Sequence, residues 1–301
     1  MIAPTEFSAE VLSPTPRPVQ LNFVQRLWRH RLAQLGLIII GLLIFVWIFA
    51  PLISRVSPID PQANGLDALG TPHPPGEGFL LGADTQGRDV WTRLLYGTRI
   101  SLLVAFSAML TATFIGTTIG LISGYFGGWV DAVLMRITEV VMSLPTILLA
   151  IALTTLLPEG QAMLNLLIAI TLVTWTGIAR AVRGEVLSLK EREFVEAARA
   201  LGCSHAHIMR VHLLPNVLPT VLTLATLATA HNILLEAGLS FLNVGVEPSI
   251  PSWGNMIYDG QPYMLAAPWI TLAPGVAIVL AVAGFNLLGQ AMQEVLDPRK
   301  R

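Results

Sequence analysis

Cysteine is almost missing from this chain, with Cys203 alone among 301 residues. That scarcity excludes an intramolecular disulfide and any site assembled from several thiolates. Charge is scarce too, at 12% of residues against 53% hydrophobic residues, about half the share usual in globular domains. The 18 Lys plus Arg and 19 Asp plus Glu leave a net charge of -1, so no basic surplus points to nucleic acid. The only lysines, Lys190 and Lys300, follow Leu189 and Arg299, so the Gly-Lys-Ser/Thr of a P-loop is absent. Neither H-E-x-x-H nor G-x-S-x-G occurs, which leaves a membrane-embedded hydrolase without support. The start, MIAPTEFSAEVLSPTPRPVQ, has no apolar core and reads as a disordered, Pro-rich tail rather than a secretory signal. What the chain does have is 25 Gly and 20 Pro in an apolar sequence, the composition of a polytopic membrane protein with interrupted helices.

A bilayer core of about 30 Å needs about 20 apolar helical residues, so gaps between charges locate the spans. Six stretches qualify. The first lies between Arg31 and Arg55 and the second between Arg99 and Asp131. The third runs over about 132–157 and carries Arg136 and Glu139; the fourth fills the gap from Glu159 to Arg180. The fifth covers about 211–244 with His231, Asn232 and Glu236 inside it, and the sixth lies between Asp259 and Glu294. Six crossings put both termini on one side. Arg17, Arg26, Arg29 and Arg31, the 180–210 loop with its five arginines and Lys190, and Arg299, Lys300 and Arg301 all share that side. The other side receives Arg55, Arg88, Arg93 and Arg99 offset by Asp60, Asp67, Glu77, Asp84 and Asp89. Positive charge is retained inside, so both termini are expected in the cytoplasm. The expected organisation is a tail over 1–30, the first span and an extracytoplasmic loop over 31–97, a core with five spans over 98–292, and a tail over 293–301.

Two connections are long. The extracytoplasmic one, 54–96, is rich in Pro and Gly and is expected to be ordered with little helix. The cytoplasmic one, 180–210, reads as helical and soluble. Phe194, Ala197, Ala198 and Leu201 fall on one side of a short helix and Arg192, Glu196 and Arg199 on the other. Gly202 sits where a helix commonly ends in a left-handed residue, and Ser204 is placed to cap the next helix, which leads to Leu214 and Pro215. A stub held between two spans suits transmission of a push from a soluble partner. The same pattern also fits an amphipathic loop resting on the membrane.

The run EAARALGCSHAHIMRVHLLPN, 196–216, resembles the EAA signature of ATP-binding-cassette importer permeases: E-A-A, three residues, Gly, then L-P twelve residues on. LLGADTQGRDVWTRLLYGTRISL (80–102), GYFGGWVDAVLMRITEVVMSLP (124–145), EAGLSFLNVGVEPSIPSWGNMI (236–257) and FNLLGQAMQEVLDPRKR (285–301) resemble the C-type permease subunit of dipeptide and oligopeptide importers. Departures are His212, Asn243 and Gln290, where the pattern has Ile, Gly and Asp. The resemblance implies an all-α integral membrane protein with six transmembrane helices, the type I importer permease fold, in a bacterial inner membrane. It implies a non-catalytic subunit without a cofactor, because ATP is bound by one or two separate cytoplasmic subunits. A second, B-type permease and an extracytoplasmic substrate-binding protein are implied as well. Glu196, Ala197, Ala198, Gly202, Leu214 and Pro215 are then the ATPase-coupling residues. Nickel, glutathione or another small solute are the alternatives to peptides. An ion-gradient-driven carrier is the rival of another class, but inverted repeats with paired broken helices are not found in the sequence.

Ionisable groups within spans usually face the bundle or a water-filled path. Glu236, with His231 and Asn232, is therefore a pathway candidate or the member of an interhelical hydrogen bond. Glu139 is placed to pair with Arg136. His205, His207 and His212 lie on different faces without carboxylate support and make a poor metal site. Trp253, Tyr258 and Tyr263 are candidates for the external mouth, and Gly116, Gly120 and Gly124 for close helix packing, either within the chain or against the partner permease.

Overall fold

The structure, a computed structural model, describes residues 23–296 apart from Glu77 and Glu159. The two terminal tails beyond those limits, with Arg17, Arg299, Lys300 and Arg301, lie outside the described residues. Among the described residues the regular elements are helices, joined by loops with isolated bridges. A short helix α1 (Phe23–Arg29) leads into α2 (Arg31–Ile53), the first of five helices long and apolar enough to cross a membrane. The others are α3 (Val90–Phe126), α6 (Ala162–Leu189), the rod His205–Phe241, and α11 (Trp269–Leu296).

The third crossing is not the continuous helix expected over 132–157. It is broken into α4 (Gly128–Ser143) and α5 (Thr146–Leu156), bent by 96°. Pro145 is the cause. It has no N–H to continue the ladder, and its ring forces the preceding residue out of the helical region; Leu144 sits at φ −93°, ψ 139°. At 1.5 Å per residue the pieces reach about 24 and 17 Å, so neither crosses alone.

The 54–89 segment is ordered by local turns, with bridges at Leu66–Pro72 and Ala83–Asp89. It ends at Asp89, whose carboxylate caps α3 by accepting from the Thr92 N–H at 3.0 Å. The loop therefore ends seven residues before its expected end at Tyr96. After α6, the chain forms α7 (Glu193–Ala200), the single turn α8 (His205–His207), a π-helical turn Ile208–Leu213, and α9 (Leu214–Phe241). A loop then leads to α10 (Trp253–Gly260) and α11.

Among the described residues the most extensive helix pairing joins α3 to α6. Gly116, Gly120 and Gly124 make it possible. A Cβ at Gly116 would lie 2.6 Å from the Trp175 carbonyl, one at Gly120 2.6 Å from the Ala179 carbonyl, and one at Gly124 2.8 Å from Val186 Cβ. Small residues let backbones approach where lipid supplies no hydrophobic drive, and here the approach is within the chain rather than to a partner. At the foot of this pair Asp131 of α4 takes a fork from Arg183 of α6, at 2.5 and 2.6 Å, and the Ser123 hydroxyl of α3. Three helices are thus pinned beneath the break.

Candidate functional site

The loop after α6 has the shape that its sequence implied, with one rotation. Glu193 and Glu196 occupy the first turn of α7 and Arg199 the last, each complementing the helix dipole. Leu201, Gly202 and Cys203 close the helix in a Schellman turn. The Cys203 N–H donates to the Ala198 carbonyl at 3.1 Å and the Gly202 N–H to that of Arg199 at 2.9 Å, with Gly202 at φ +79°. The Ser204 hydroxyl then caps α8 by accepting from the His207 N–H at 3.3 Å.

The face of α7 turned to the rest of the chain is Val195 and Ala198, buried against Val182, Val186, Ile208, Leu213 and Val217. The expected apolar side is corrected accordingly. Phe194 and Leu201 are 40% and 84% exposed, and Ala197 lies on that open face with Glu196. An eight-residue helix here carries two apolar stripes, and spacing alone does not say which is covered. Tyr125, near the end of α3, fixes the stub from the other side. Its hydroxyl is 2.7 Å from His205 Nδ1, and the Arg199 guanidinium lies over its ring at 5.6 Å. Glu196, Ala197, Ala198 and Gly202 are thereby held on one rigid stub. Leu214 and Pro215 stand apart from it, half-buried and exposed respectively, where the π turn passes into α9.

The intramembrane trio is not brought together. Asn232 and Glu236, four residues apart, share the buried side of α9 but bond to different partners, and His231 lies on another side. His231 is exposed, while Asn232 is fully buried with its amide 2.9 Å from the Thr174 hydroxyl of α6. Glu236 is also fully buried, and its partners are serines: Ser240 donates to Oε1 at 2.9 Å, with Ser101 and Ser252 beside it. These hydroxyls come from α9, α3 and the turn before α10, so the carboxyl joins three elements. Trp253 is completely buried beside it, its backbone N–H donating to Ser101 at 3.2 Å, and is removed from the candidates for the external mouth. Tyr258 and Tyr263 remain exposed. In keeping with a structural knot, Glu236→Gln should assemble at near wild-type levels. Glu236→Leu should lower the yield of folded protein several-fold, because buried hydroxyls left unpaired cost about 1–3 kcal/mol each. Size-exclusion yield after detergent extraction measures both, and a Gln variant as poor as the Leu variant would show that the carboxylate itself is needed.

A second polar cluster was not singled out from the sequence. Asp84 accepts from Arg88 Nε at 2.6 Å and Arg93 Nη1 at 2.8 Å, and from the Gln86 and Arg88 backbone N–H groups at 2.9 Å. Both arginines also reach Asp259 of α10, at 3.1 and 3.2 Å. Asp84, Arg88 and Arg93 are buried. Burial pushes the Asp259 carboxyl up to about 6 against the pull of Arg88, so it is ionised at neutral pH and balances the two cations. The local Asp84–Arg88 spacing was visible in the sequence, but its partner 171 residues away was not.

Residues 116–301 match the family described as binding-protein-dependent transport system inner membrane component, and residues 21–75 match the N-terminal TM domain of oligopeptide transport permease C. The dipeptide transport system permease protein DppC of Alkalihalophilus pseudofirmus is 40% identical over 278 residues, 92% of this chain and 89% of that protein. The oligopeptide transport system permease protein OppC of Bacillus subtilis is 36% identical, covering 97% and 94%. The glutathione transport system permease protein GsiD of Pectobacterium atrosepticum is 36% identical, covering 90% of each chain. Among solved structures, an inward-facing conformation of the MetNI methionine ABC transporter shares the fold. Its TM-score is 0.55 at 21% identity, over 68% of this chain and 97% of that one.

Proposed function

The chain belongs to the binding-protein-dependent transport system inner membrane components and is a permease subunit of an ATP-binding-cassette importer; from that premise we propose that its cargo is di- or oligopeptides. Relatives whose names specify dipeptide and oligopeptide transport cover nearly the whole chain and support this cargo. The chain forms half of the route, and a B-type permease forms the other half. ATP is hydrolysed by separate cytoplasmic subunits, because no P-loop is available here. An extracytoplasmic binding protein delivers the peptide. Both termini and the 180–213 loop face the cytoplasm of a bacterium, where the arginine excess is retained.

The observation that carries the coupling role is the stub of α7. Its inner face is welded to α3, α6 and α9, while Phe194, Glu196, Ala197 and Leu201 stand open. Together Phe194, Ala197 and Leu201 beside Glu196 offer a partner an apolar face edged by an acid outside the spans. An ATPase seated there would push on the spans through the buried cluster that Val195 and Ala198 share with α3, α6, the π-helical turn and α9. Tagged chain extracted in mild detergent should bring down a second permease and ATP-hydrolysing subunits. In the reconstituted complex, ATP hydrolysis should rise when the binding protein and mixed short peptides are added. A complex that responds to another solute and to no peptide would overturn the cargo; a chain recovered without ATPases would overturn the coupling role.

A further inference from the structure

The break between α4 and α5 is unlike any other part of the bundle. Although α5 packs along α6, few residues of either piece are fully buried: Thr138 is the buried residue of α4 and Ala150 that of α5, and residues 142–148 are all exposed. Yet the exposed side of α4 is not uniformly apolar. At 100° per residue Arg136, Glu139 and Ser143 fall within about 60° of one another and form a polar stripe that climbs to the break. The stripe ends in a cation and an anion, 79% and 61% exposed, paired at 3.0 Å. Val133, Ile137, Val140 and Leu144 lie to one side of it, exposed and apolar.

At the top of the stripe the backbone is open as well. Pro145 has no N–H for the Val141 carbonyl, and the extended Leu144 carries the next donors away from Met142 and Ser143. Irregular backbone at membrane depth survives only where protein covers it or water reaches it, since each unpaired group in hydrocarbon costs several kcal/mol. A facing wall stands on α6. Gly177 and Gly184 border open space, and Arg180 between them reaches to 3.6 Å from Met142 Sδ. Lipid against this surface would meet three guanidinium or carboxylate groups. A dry protein partner would have to strip water from the exposed Arg136–Glu139 pair and from Arg180, a cost that the pair's own attraction repays only with further hydrogen bonds.

We propose that the polar stripe Arg136–Glu139–Ser143, with the proline break above it, is the wall of a water-filled route and contacts the solute in transit. This rests on the reading of the chain as half of a translocation path, and assigns which of its surfaces faces that path. The ion pair is weak at such exposure, so either partner is available to a charged end of a passing peptide. The apolar arc beside the stripe is then left for lipid or for the second permease.

The test places single cysteines at Glu139 and Ser143, and for comparison at Ile38 and Leu42 on the exposed apolar side of α2. The complete complex is held in lipid nanodiscs and treated with a charged thiosulfonate. The unsubstituted chain, with Cys203 alone, supplies the blank. Reaction at 139 and 143 should be at least ten-fold faster than at 38 and 42, and should slow when saturating peptide-loaded binding protein and ATP are present. Rates at 139 and 143 as low as at 38 and 42 in an assembled complex would overturn the proposal. If the Glu139→Cys complex assembles poorly, Ala132→Cys on the same stripe gives the reading. Labelling needs no transport, so it decides the route even if the complex imports no peptide, an outcome that would instead sink the cargo assignment.

Discussion

Replacing Gly202 by valine should reduce substrate import at least ten-fold while the chain still inserts in the membrane. Gly202 closes α7 at φ +79°, and a Cβ there would meet no atom within 4 Å. Space is therefore not the obstacle; the backbone is. A β-branched residue in the left-handed region costs about 1–2 kcal/mol or more, and the turn relieves that by swinging α7 away from α3 and α9. Such a swing pulls Val195 and Ala198 from their seats and moves the open face that carries Glu196. Gly202→Asn, which tolerates the left-handed region, should retain most of the import. Glu196→Arg tests the surface without touching the turn: Glu196 is exposed, so its reversal should weaken ATPase retention with little change in permease abundance. Uptake of labelled peptide normalised to membrane-inserted chain measures all three. Wild-type import by both Gly202→Val and Glu196→Arg, with the ATPases bound normally, would mean that the stub does not couple.

The second large effect is expected at Asp84. Its carboxylate holds two buried guanidiniums and two backbone N–H groups, and Asp84→Ala leaves Arg88 and Arg93 with the partly buried Asp259 alone. Removing one partner from a buried charge cluster costs about 3–5 kcal/mol, a large part of the stability of an ordinary domain. The folded yield should fall several-fold, and trypsin should gain access to Arg88 and Arg93, which are buried in the wild type. Asp89→Ala is the natural control. Its carboxylate bonds only the Thr92 N–H and hydroxyl at the start of α3, so its loss costs about 1 kcal/mol and should leave Arg88 and Arg93 resistant. Equal protease sensitivity of the two variants would show that the quartet is not what secures the loop.

Much of this architecture was legible before any coordinates, for a physical reason: hydrocarbon admits few charges, so the gaps between them outline the spans. The EAA loop was legible because a Schellman turn needs Gly and a cap needs Ser, and Gly202 and Ser204 stood two residues apart. The failures share a cause as well. Which stripe of α7 is covered depends on Ile208 and Leu213 arriving from the next helix. Glu236 was grouped with its chain neighbours His231 and Asn232, whereas Ser101 and Ser252 come from other elements. The quartet needed Asp259 from far along the chain. In each case the local pattern offered two or more faces, and a distant segment made the choice. The break at Pro145 is the exception, since S-L-P lay in plain view inside a span.

Helix α3 joins two of these features in one body. Its Asp89 end carries Arg93 into the buried quartet, and its other end carries Tyr125, bonded to His205 at the root of the loop stub. The helix runs for 37 residues without a proline, whereas α2 and α11 each contain one and α9 contains two. At 1.5 Å per residue that is an unbroken strut of about 56 Å, longer than the bilayer is thick. A strut stiff along its length does not need a relay of side-chain rearrangements to carry news across the membrane. If the stub tilts at one end, the salt-bridged loop at the other must travel with it. A tilt of the stub and a shift of the buried quartet are thus displacements of one and the same helix.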